Sequence, residues 1–588
     1  MLNEEQIRAI KHGGKPLCIF AGPGTGKTLI LQKKYEEIIK AGINPTNIIG
    51  LTFTTSAANE LIMRISRSTG LNLRSIQVAT FHSMCYKLIQ RHPTLCDLKH
   101  GFTLLSPEMQ EKEIFTIIQE MGITSNNKYV KSIREIIAKA KRRQTWGDKK
   151  LSYAERLAQD VYTVYQHYLK KDNMIDFEDM IVKANKLIQA HPSIQKECQE
   201  RYKYILVDEA QDMDKNQYEI LKAIGGENTT IVGDDDQSIY GFAGSSPEFI
   251  QQFITDLNAD IITMNQSYRS TEKIINSSQE VIRNNTNRKE KDMKPNSKGG
   301  ENIKIIRSED ERQEAENIAR ITEEIENVAI IYRQNRQSKP IEKVFQERGI
   351  PYKTVDNTGF YQRKEIKDAV AIINLTTKNT EESIRRVLSI QPNIGKATIQ
   401  KVIKHAEGNR ISYTDACLSR ITGITKEQHE TLVHIGRTYR NKDNQIPDLI
   451  RAIMPKSNPH SEERIDTFIN SLEKWEGDIE SYIDQIQNLE KDKRTVKMLT
   501  LHRSKGLEFG TIIIAGFEQG IIPYFNSIYE EKNSTIEEER RLAYVGITRA
   551  KKSVFLSFAK NRQLENGNAQ QIVSQFIDEI PQEHKEYI

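Results

Sequence analysis

Eight consecutive residues near the N-terminus have the composition of a phosphate-binding loop. An apolar run at residues 17–20 precedes them and a helical pattern follows, which is the strand–loop–helix context that such a loop requires. Its glycines let backbone N–H groups face phosphate oxygens, and the helix N-terminus adds a favourable dipole. Lys27 would reach the β- and γ-phosphates, and the Thr28 hydroxyl would ligate Mg²⁺. The predicted loop comprises Ala21, Gly22, Pro23, Gly24, Thr25, Gly26, Lys27 and Thr28.

Two acidic residues follow a later apolar run, residues 204–207. At the carboxyl end of a parallel strand they would face the crevice where open α/β sheets bind ligands. Asp208 could then hold Mg²⁺, and Glu209 could polarise an attacking water. Alone, such a pair could equally be a turn or a helix cap. Together with the phosphate-binding loop, it predicts a nucleoside triphosphatase.

Short apolar runs, each followed by a helical pattern, predict parallel α/β sheets joined by crossover helices. Two stretches, 83–199 and 378–492, show only helical patterns and are predicted insertions, while the polar residues 284–302 are a predicted linker. The predicted strands are 17–20, 48–53, 204–207, 230–232, 261–264, 303–306, 328–332, 496–501, 512–514 and 554–557. The predicted domains are a first α/β domain at 1–82 and 200–283 and a second at 284–377 and 493–588.

Composition narrows the class of protein. The 588 residues are 37% hydrophobic and 28% charged, which fits several globular domains and excludes collagen-like or wholly disordered chains. No uninterrupted apolar run is long enough to span a membrane, and no secretory signal is visible, so a cytoplasmic protein is predicted. Five cysteines, an odd number with no C-x-x-C pair, argue against a disulfide framework or a structural zinc site. We therefore expect reduced thiols.

Positive charge is concentrated in one window of the first helical insertion. The whole chain carries a net charge of +5, yet residues 131–150 contain eight basic and two acidic residues, for a net +6. Such a run is usually a solvated helix face, but it could also be a track for phosphate groups. The second interpretation predicts nucleic-acid contacts by Lys141, Arg142 and Arg143.

Motifs in a fixed order between residues 2 and 550 resemble those of the UvrD/Rep/PcrA helicases of superfamily 1. Besides the loop, they include Asp208-Glu209-Ala210-Gln211-Asp212, Gly233-Asp234-Asp235-Asp236-Gln237-Ser238-Ile239-Tyr240, Gln266-Ser267-Tyr268-Arg269-Ser270, Thr500-Leu501-His502-Arg503-Ser504-Lys505-Gly506-Leu507-Glu508-Phe509 and Glu538-Glu539-Arg540-Arg541-Leu542-Ala543-Tyr544-Val545-Gly546-Ile547-Thr548-Arg549-Ala550. The resemblance implies two RecA-like motor domains, each with a mostly helical inserted subdomain. It also implies ATP and Mg²⁺ as cofactors and single-stranded DNA as a partner.

The same resemblance implies individual roles. Gln6 would bind the adenine edge, Tyr268 would stack on the base and Glu508 would contact the ribose. The implied catalytic set is Lys27, Glu209, Gln237 as sensor of the γ-phosphate, and Arg269 and Arg549, which would neutralise charge on the transferring phosphoryl group. The implied strand-binding set is Phe53, Thr54, His82, Phe177, Tyr240, Phe242 and His502, and the rings of all but Thr54 would stack on bases. For Phe53 and Phe177, packing in a core is a serious alternative.

The sequence departs from the family pattern in two places. Ala243 stands where relatives typically carry an arginine, which predicts weaker coupling or a weaker grip on the strand, but not loss of hydrolysis. The insertion at 378–492 is shorter than is usual in the family.

Three hypotheses follow. The first is an ATP- and Mg²⁺-dependent DNA helicase that moves 3′ to 5′ on single-stranded DNA, a polarity implied by the family alone, and acts at junctions with duplex. The second is a DNA-stimulated ATPase or translocase that remodels protein–DNA complexes, unwinds little by itself and uses a protein partner. The third, a nucleotide-gated strand-binding subunit without catalysis, is opposed by the complete set of catalytic residues.

Overall fold

The computed structural model describes residues 2–123, 125–146, 151–286, 288–355, 360–441, 445–455, 459–473, 477–487, 494–524, 533–564 and 567–588. Its strands are β1 (Leu17–Ala21), β2 (Ile48–Thr52), β3 (Val78–Thr80), β4 (Thr103–Leu104), β5 (Met174–Ile175), β6 (Tyr204–Val207), β7 (Thr229–Gly233), β8 (Asp260–Met264), β9 (Gln266–Thr271), β10 (Lys294–Ser297), β11 (Ile303–Asp310), β12 (Val328–Tyr332), β13 (Tyr352–Thr354), β14 (Val496–Thr500), β15 (Phe509–Ile514), β16 (Ala550–Leu564), β17 (Gly567–Gln570) and β18 (Lys585–Tyr587).

Helices outnumber strands among the described residues. They are α1 (Glu4–Lys11), α2 (Lys27–Lys40), α3 (Thr55–Thr69), α4 (Phe81–Arg91), α5 (Pro107–Glu120), α6 (Asn127–Arg143), α7 (Tyr153–Lys171), α8 (Phe177–Ala190), α9 (Pro192–Arg201), α10 (Lys215–Ile224), α11 (Glu248–Asp256), α12 (Glu272–Arg283), α13 (Glu311–Glu324), α14 (Ser338–Arg348), α15 (Lys364–Thr377), α16 (Glu381–Ser389), α17 (Lys396–Asn409), α18 (Tyr413–Leu418), α19 (Lys426–Arg440), α20 (Ile446–Ile453), α21 (Pro459–Glu473), α22 (Ile479–Gln487), α23 (Asn533–Ile547) and α24 (Gln575–Asp578).

The described chain folds as two compact units. The first comprises residues 1–302, 523–552 and 575–585, and the second comprises 303–522, 553–574 and 586–588. The domain boundaries predicted from the sequence differ in two respects. Segments 523–552 and 575–585 pack with the first unit rather than the second, and so do residues 284–302. The first unit therefore contains helix α23 and the Arg549 that follows it.

A six-stranded sheet in the order β3-β2-β6-β7-β1-β8 forms the centre of the first unit, and every neighbouring pair is parallel. Most residues of its strands are apolar and buried, because both faces of the sheet are covered. In β1, Leu17 and Ile19 pack in the core formed with helices α1, α2 and α3, whereas Cys18 and Phe20 pack in the opposite core with α4, α8 and α10. The phosphate-binding loop follows β1 and the acidic pair follows β6. These two parallel strands of the sheet are separated only by β7.

The predicted first insertion is helical and has a core of its own. Ile114 of α5, Ile133 of α6 and Val161 of α7 are buried together. A two-stranded parallel ladder of β4 and β5 interrupts the helices, and the sequence did not predict it because each strand is only two residues long. Strand β3, three residues long, escaped prediction for the same reason.

The second unit also has a mostly parallel sheet, in the order β13-β14-β12-β15-β16-β11-β18, with β17 pairing antiparallel to β16. Its core extends from Ile330 of β12 through Ile372 of α15 to Leu432 of α19, so the predicted helical insertion shares a continuous core with the sheet. The mixed α/β class predicted from the sequence is confirmed.

The polar stretch at residues 284–302 is not the linker that its composition predicted. It contains strand β10, which pairs with β9, and the buried Lys291, which contacts carboxylates of the first unit. All five cysteines are buried and free. Within the described part of the chain, no helix combines the length and apolarity needed to cross a bilayer.

Candidate ATP and DNA sites

The phosphate-binding loop leaves β1 and enters helix α2 with two glycines in the left-handed region. Gly24 and Gly26 have φ values of 76° and 88°, which favour residues without a Cβ. A Cβ at Gly24 would also lie 2.6 Å from the Ser267 Oγ and 2.7 Å from the Arg269 Cβ. A side chain larger than hydrogen is therefore excluded where the loop meets the residues that follow β8.

Lys27 and Thr28 begin helix α2 at this loop. The Lys27 Nζ donates to the Ala21 carbonyl over 3.1 Å, and burial lowers the pKa of Lys27 despite the nearby Glu209 and Asp234 carboxylates. The Thr28 Oγ1 lies 3.4 Å from the Asp208 Oδ2. A hydroxyl and a carboxylate in this arrangement are the hard oxygen donors that Mg²⁺ prefers, so the residues present fit the ion.

Asp208 follows strand β6 directly, and Glu209 continues in a left-handed turn with φ of 51°. Burial and then the charge of Glu209 raise the pKa of Asp208 to about 7, although Lys27 acts in the opposite direction. The Gln211 Nε2 donates to the Glu209 Oε2 over 2.6 Å. Glu209 therefore has a defined orientation next to the loop, as a residue that polarises water requires.

Gln237 and Arg549 come together in the first unit. The Arg549 Nη2 donates to the Gln237 Oε1 over 3.2 Å, and its Nε donates to the Val545 carbonyl over 2.9 Å. The Arg269 Nη1 donates to the Thr548 carbonyl over 3.2 Å. Burial, followed by repulsion from Arg269, lowers the pKa of Arg549 to about 9. A buried guanidinium group and a partly buried one, held close together, favour a polyanion beside them.

Gln6 and Tyr268 flank the same loop. Gln6 is buried, and its Nε2 donates to the Thr25 carbonyl over 3.0 Å while its Oε1 accepts from the Asn3 backbone N–H. The Tyr268 backbone N–H donates to the Gly24 carbonyl over 2.9 Å, and its side chain is 45% exposed. The ring is thus anchored at its backbone and accessible for stacking. Glu508 lies in the second unit, where it is exposed just before β15, and its ribose contact stays a prediction.

Five of the residues predicted to bind a strand form two aromatic groups in the first unit. Phe53 and Tyr240 stack with ring centroids 5.8 Å apart, and Phe242 meets Tyr240 edge-on. His82 and Phe177 lie 5.9 Å apart. Phe53, Phe177 and Phe242 are 37%, 46% and 59% exposed, so packing in a core does not account for these rings.

The remaining two residues of this set have other surroundings. The Thr54 Oγ1 accepts from the Ala57 backbone N–H and caps helix α3. His502 belongs to the second unit, where burial, then Arg333 and Lys505, lower its pKa to about 3. His502 is therefore neutral at pH 7, and any contact with a strand would be a hydrogen bond or stacking rather than a salt link.

Two family models together match nearly the whole chain. The UvrD/REP helicase N-terminal domain matches residues 2–258, and the UvrD-like helicase C-terminal domain matches residues 262–561. The chain belongs to the UvrD-like helicases. The ATP-dependent DNA helicase PcrA of Staphylococcus epidermidis is 30% identical to it over 630 residues, covering 99% of this chain and 86% of that protein. The PcrA helicases of Staphylococcus aureus strains Mu50 and NCTC 8325 are 29% identical over 629 residues, with the same coverage.

The prediction that Lys141 belongs to an exposed basic track that contacts nucleic acid is wrong for this UvrD-like helicase. Its side chain is 2% exposed, and its Nζ lies 2.6 Å from the Asp176 Oδ2 and 2.8 Å from the Asp179 Oδ1. Burial alone would lower the pKa of Lys141, but the two carboxylates raise it instead. The ion pair holds the first turn of α8, which begins with Phe177.

Arg142 and Arg143 have surroundings that fit the predicted strand site better. Arg143 is exposed, and Arg142 lies 3.6 Å from Glu178 with its side chain 31% exposed. A Cβ at Gly244 would lie 3.5 Å from the Arg142 Cβ and 3.7 Å from the Arg143 Cγ. Two arginines of the insertion thus flank the turn that carries Ala243. Of the predicted track, Lys149 and Lys150 lie outside the described residues.

Separate variants should distinguish these neighbouring cations. Lys141→Met leaves two buried carboxylates uncompensated and should lower the free energy of unfolding by about 3–5 kcal/mol. Arg143→Gln should leave stability unchanged but reduce the salt dependence of DNA affinity by about one counterion. Thermal unfolding and DNA titrations at several salt concentrations measure both effects, with Lys196→Gln, an exposed cation of α9, as control. If the salt dependence of DNA affinity is unchanged in Arg143→Gln, Arg143 does not contact DNA and lies on an ordinary solvated helix face.

No role was predicted from the sequence for several residues that order the site. Arg288 and Lys291 contact the three aspartates before Gln237, and Gln211 orients Glu209. Glu538, in the first half of α23, lies against the turn that carries Phe242, since a Cβ at Gly241 would be 2.8 Å from the Glu538 Oε2. The roles of Arg288 and Lys291 were missed because the polar composition of residues 284–302 predicted a linker.

Proposed function

We propose that this chain is an ATP- and Mg²⁺-dependent DNA helicase that translocates 3′ to 5′ on single-stranded DNA. The observation that carries the proposal is the spacing of the two sites along one segment. Gln237 ends one 3₁₀ turn, at residues 235–237, and Tyr240 directly precedes the next, at residues 241–243, which carries Phe242. Only two residues, Ser238 and Ile239, therefore separate the proposed γ-phosphate sensor from the first ring of the proposed strand site.

Helix α23 adds a second link between these sites. Glu538 near its N-terminal end contacts the turn of Phe242, and Arg549, two residues after its C-terminal end, contacts Gln237. A shift of this helix would move a group at each site. Differential contacts of that kind are what coupling between two ligands requires.

The chemistry proposed for the ATP site is phosphoryl transfer to water. Lys27 binds the β- and γ-phosphates, Glu209 orients and polarises the water, and Gln237 senses the γ-phosphate. Arg269 and Arg549 stabilise charge on the transferring group. Thr28 and Asp208 would hold Mg²⁺, which when bound neutralises charge on the phosphate oxygens.

The test is unwinding of duplexes that carry a 3′ tail, a 5′ tail or no tail. We expect strand separation of the 3′-tailed duplex only, and only with both ATP and Mg²⁺. Lys27→Ala is the control, because it removes the proposed phosphate contact from an otherwise intact chain. Unwinding that starts from the 5′ tail would contradict the polarity, and absence of DNA-stimulated ATP hydrolysis in the wild-type chain would contradict the function.

Ala243 favours a second candidate, a translocase that remodels protein–DNA complexes with little unwinding of its own. Such an enzyme would hydrolyse ATP in response to single-stranded DNA and displace streptavidin from a biotinylated strand, yet leave tailed duplexes paired. Its natural partners would be junctions between single and double strands and a protein that supplies unwinding. Either function fits a cytoplasmic enzyme.

A further inference from the structure

A basic strap crosses the first unit between helix α12 and strand β10. It comprises residues 285–293, of which Asn287 lies outside the described residues. Within it, Lys291 is buried with its Nζ 2.8 Å from the Asp234 Oδ1 and 2.9 Å from the Asp236 Oδ2, and it also pairs with Asp235. The Arg288 Nε and Nη2 donate to the two Asp236 carboxylate oxygens over 2.8 and 2.7 Å.

These two cations offset most of the charge of three consecutive buried carboxylates. The unpaired cluster would carry three negative charges beside a site proposed to bind a polyanion, and burial of unpaired charges is costly. Burial alone would raise the pKa of Asp234, but Lys291 and then Lys27 outweigh it and lower that pKa. Asp234 is therefore ionised and acts as an acceptor only.

Asp234 is the centre of a chain of hydrogen bonds that connects the proposed catalytic residues Gln237 and Glu209. The Gln237 Nε2 donates to the Asp234 Oδ2 over 2.6 Å, and Gln237 in turn accepts from Arg549. On the other side, the Asp234 backbone N–H donates to the Gln211 Oε1 over 2.9 Å, and Gln211 donates to Glu209. A displacement of Asp234 would thus reach both Gln237 and Glu209.

Both ends of the strap are held. The Thr286 backbone N–H and Oγ1 each donate to the Glu537 Oε1 over 2.8 Å, which ties one end to helix α23. At the other end, Met293 covers Gly22 of the phosphate-binding loop, where a Cβ would lie 2.2 Å from the Met293 Sδ. Arg288 and Lys291 are therefore fixed relative to the loop and to α23.

We propose that Arg288 and Lys291 are positioning residues for ATP hydrolysis, which hold Asp234–Asp236 so that Gln237 and Arg549 are aligned. This role rests on the proposed ATPase function. The two cations do not touch the nucleotide in this scheme, and they act through Asp234 and the short turn that follows it. Their loss should consequently affect turnover more than ATP binding.

Arg288→Gln is the principal variant, because Arg288 lies closer to the surface than Lys291. Its kcat for DNA-stimulated ATP hydrolysis should fall by roughly 10- to 100-fold, the scale of small misplacements of catalytic groups, while KM for ATP changes little. Arg288→Lys, which retains the charge, should recover part of the loss. Arg283→Gln, which removes an exposed ion pair with Glu280 just before the strap, is the matched control and should behave as wild type.

A double-mutant cycle with Gln237→Ala separates positioning from general destabilisation. If the cations act through Gln237, adding Arg288→Gln to Gln237→Ala should lower kcat by less than about twofold. Thermal unfolding tests whether each variant is folded at the assay temperature. If Arg288→Gln is unfolded there, Arg288→Lys replaces it in the double-mutant cycle. An unchanged kcat, or losses that multiply, would overturn the proposal. A wild-type chain without ATPase activity would instead overturn the proposed function.

Discussion

Glu209→Gln should nearly abolish ATP turnover while leaving nucleotide binding intact. The substitution keeps the size of the side chain and its contact with Gln211, but it removes the carboxylate proposed to polarise water. Removal of a positioned general base lowers kcat by about 10²–10⁴-fold. Loss of one negative charge next to Asp208 also removes repulsion toward a polyanionic ligand.

Steady-state ATP hydrolysis with saturating single-stranded DNA measures the first effect, and titration with a fluorescent ATP analogue measures the second. Glu227→Gln, an exposed glutamate just before β7, is the matched control and should retain full turnover. A Glu209→Gln enzyme within a few-fold of the wild-type rate would show that another group polarises the water.

Arg549→Ala should have an effect of the same order or larger. An arginine that neutralises the transferring phosphoryl group contributes about 10³–10⁵-fold to kcat. Arg549→Lys should fall between the alanine variant and the wild type, because an ammonium keeps the charge but cannot reproduce the guanidinium contacts with Gln237, Val545 and Thr548 together.

Quenched-flow measurement of a single turnover isolates this step from nucleotide exchange. Arg67→Ala, an exposed arginine near the end of helix α3, controls for loss of positive charge. Nucleotide affinity should change far less than kcat. A loss of nucleotide affinity with turnover at saturating ATP unchanged would identify Arg549 as a ground-state ligand of the phosphates instead of a transition-state group.

The sequence predicted best the parts of the site that are local along the chain. Apolar strands buried on both faces, such as β1 and β6, leave a clear signal, and the loop at Lys27 and the acidic pair at Asp208 directly follow them. Strands β4 and β5 were missed because two residues leave no periodicity to read.

Contacts between distant segments could not be predicted in this way. Lys141 is basic in a basic window, and only the fold shows that Asp176 and Asp179 surround it. Likewise Lys291 sits in a stretch rich in Asn, Lys and Gly, and its three carboxylates lie more than fifty positions away in the sequence. Charge composition alone does not distinguish a solvated lysine from one that compensates a buried cluster.

The buried cysteines have a practical consequence for following this enzyme at work. Burial raises the pKa of all five thiols, to about 11 for Cys198 and about 12 for Cys417. Maleimide dyes react with accessible thiolate, so the native chain should label slowly. A cysteine introduced at an exposed position would then carry a fluorophore selectively, without prior replacement of core residues, and pairs of such dyes would report domain motion during single-molecule turnover.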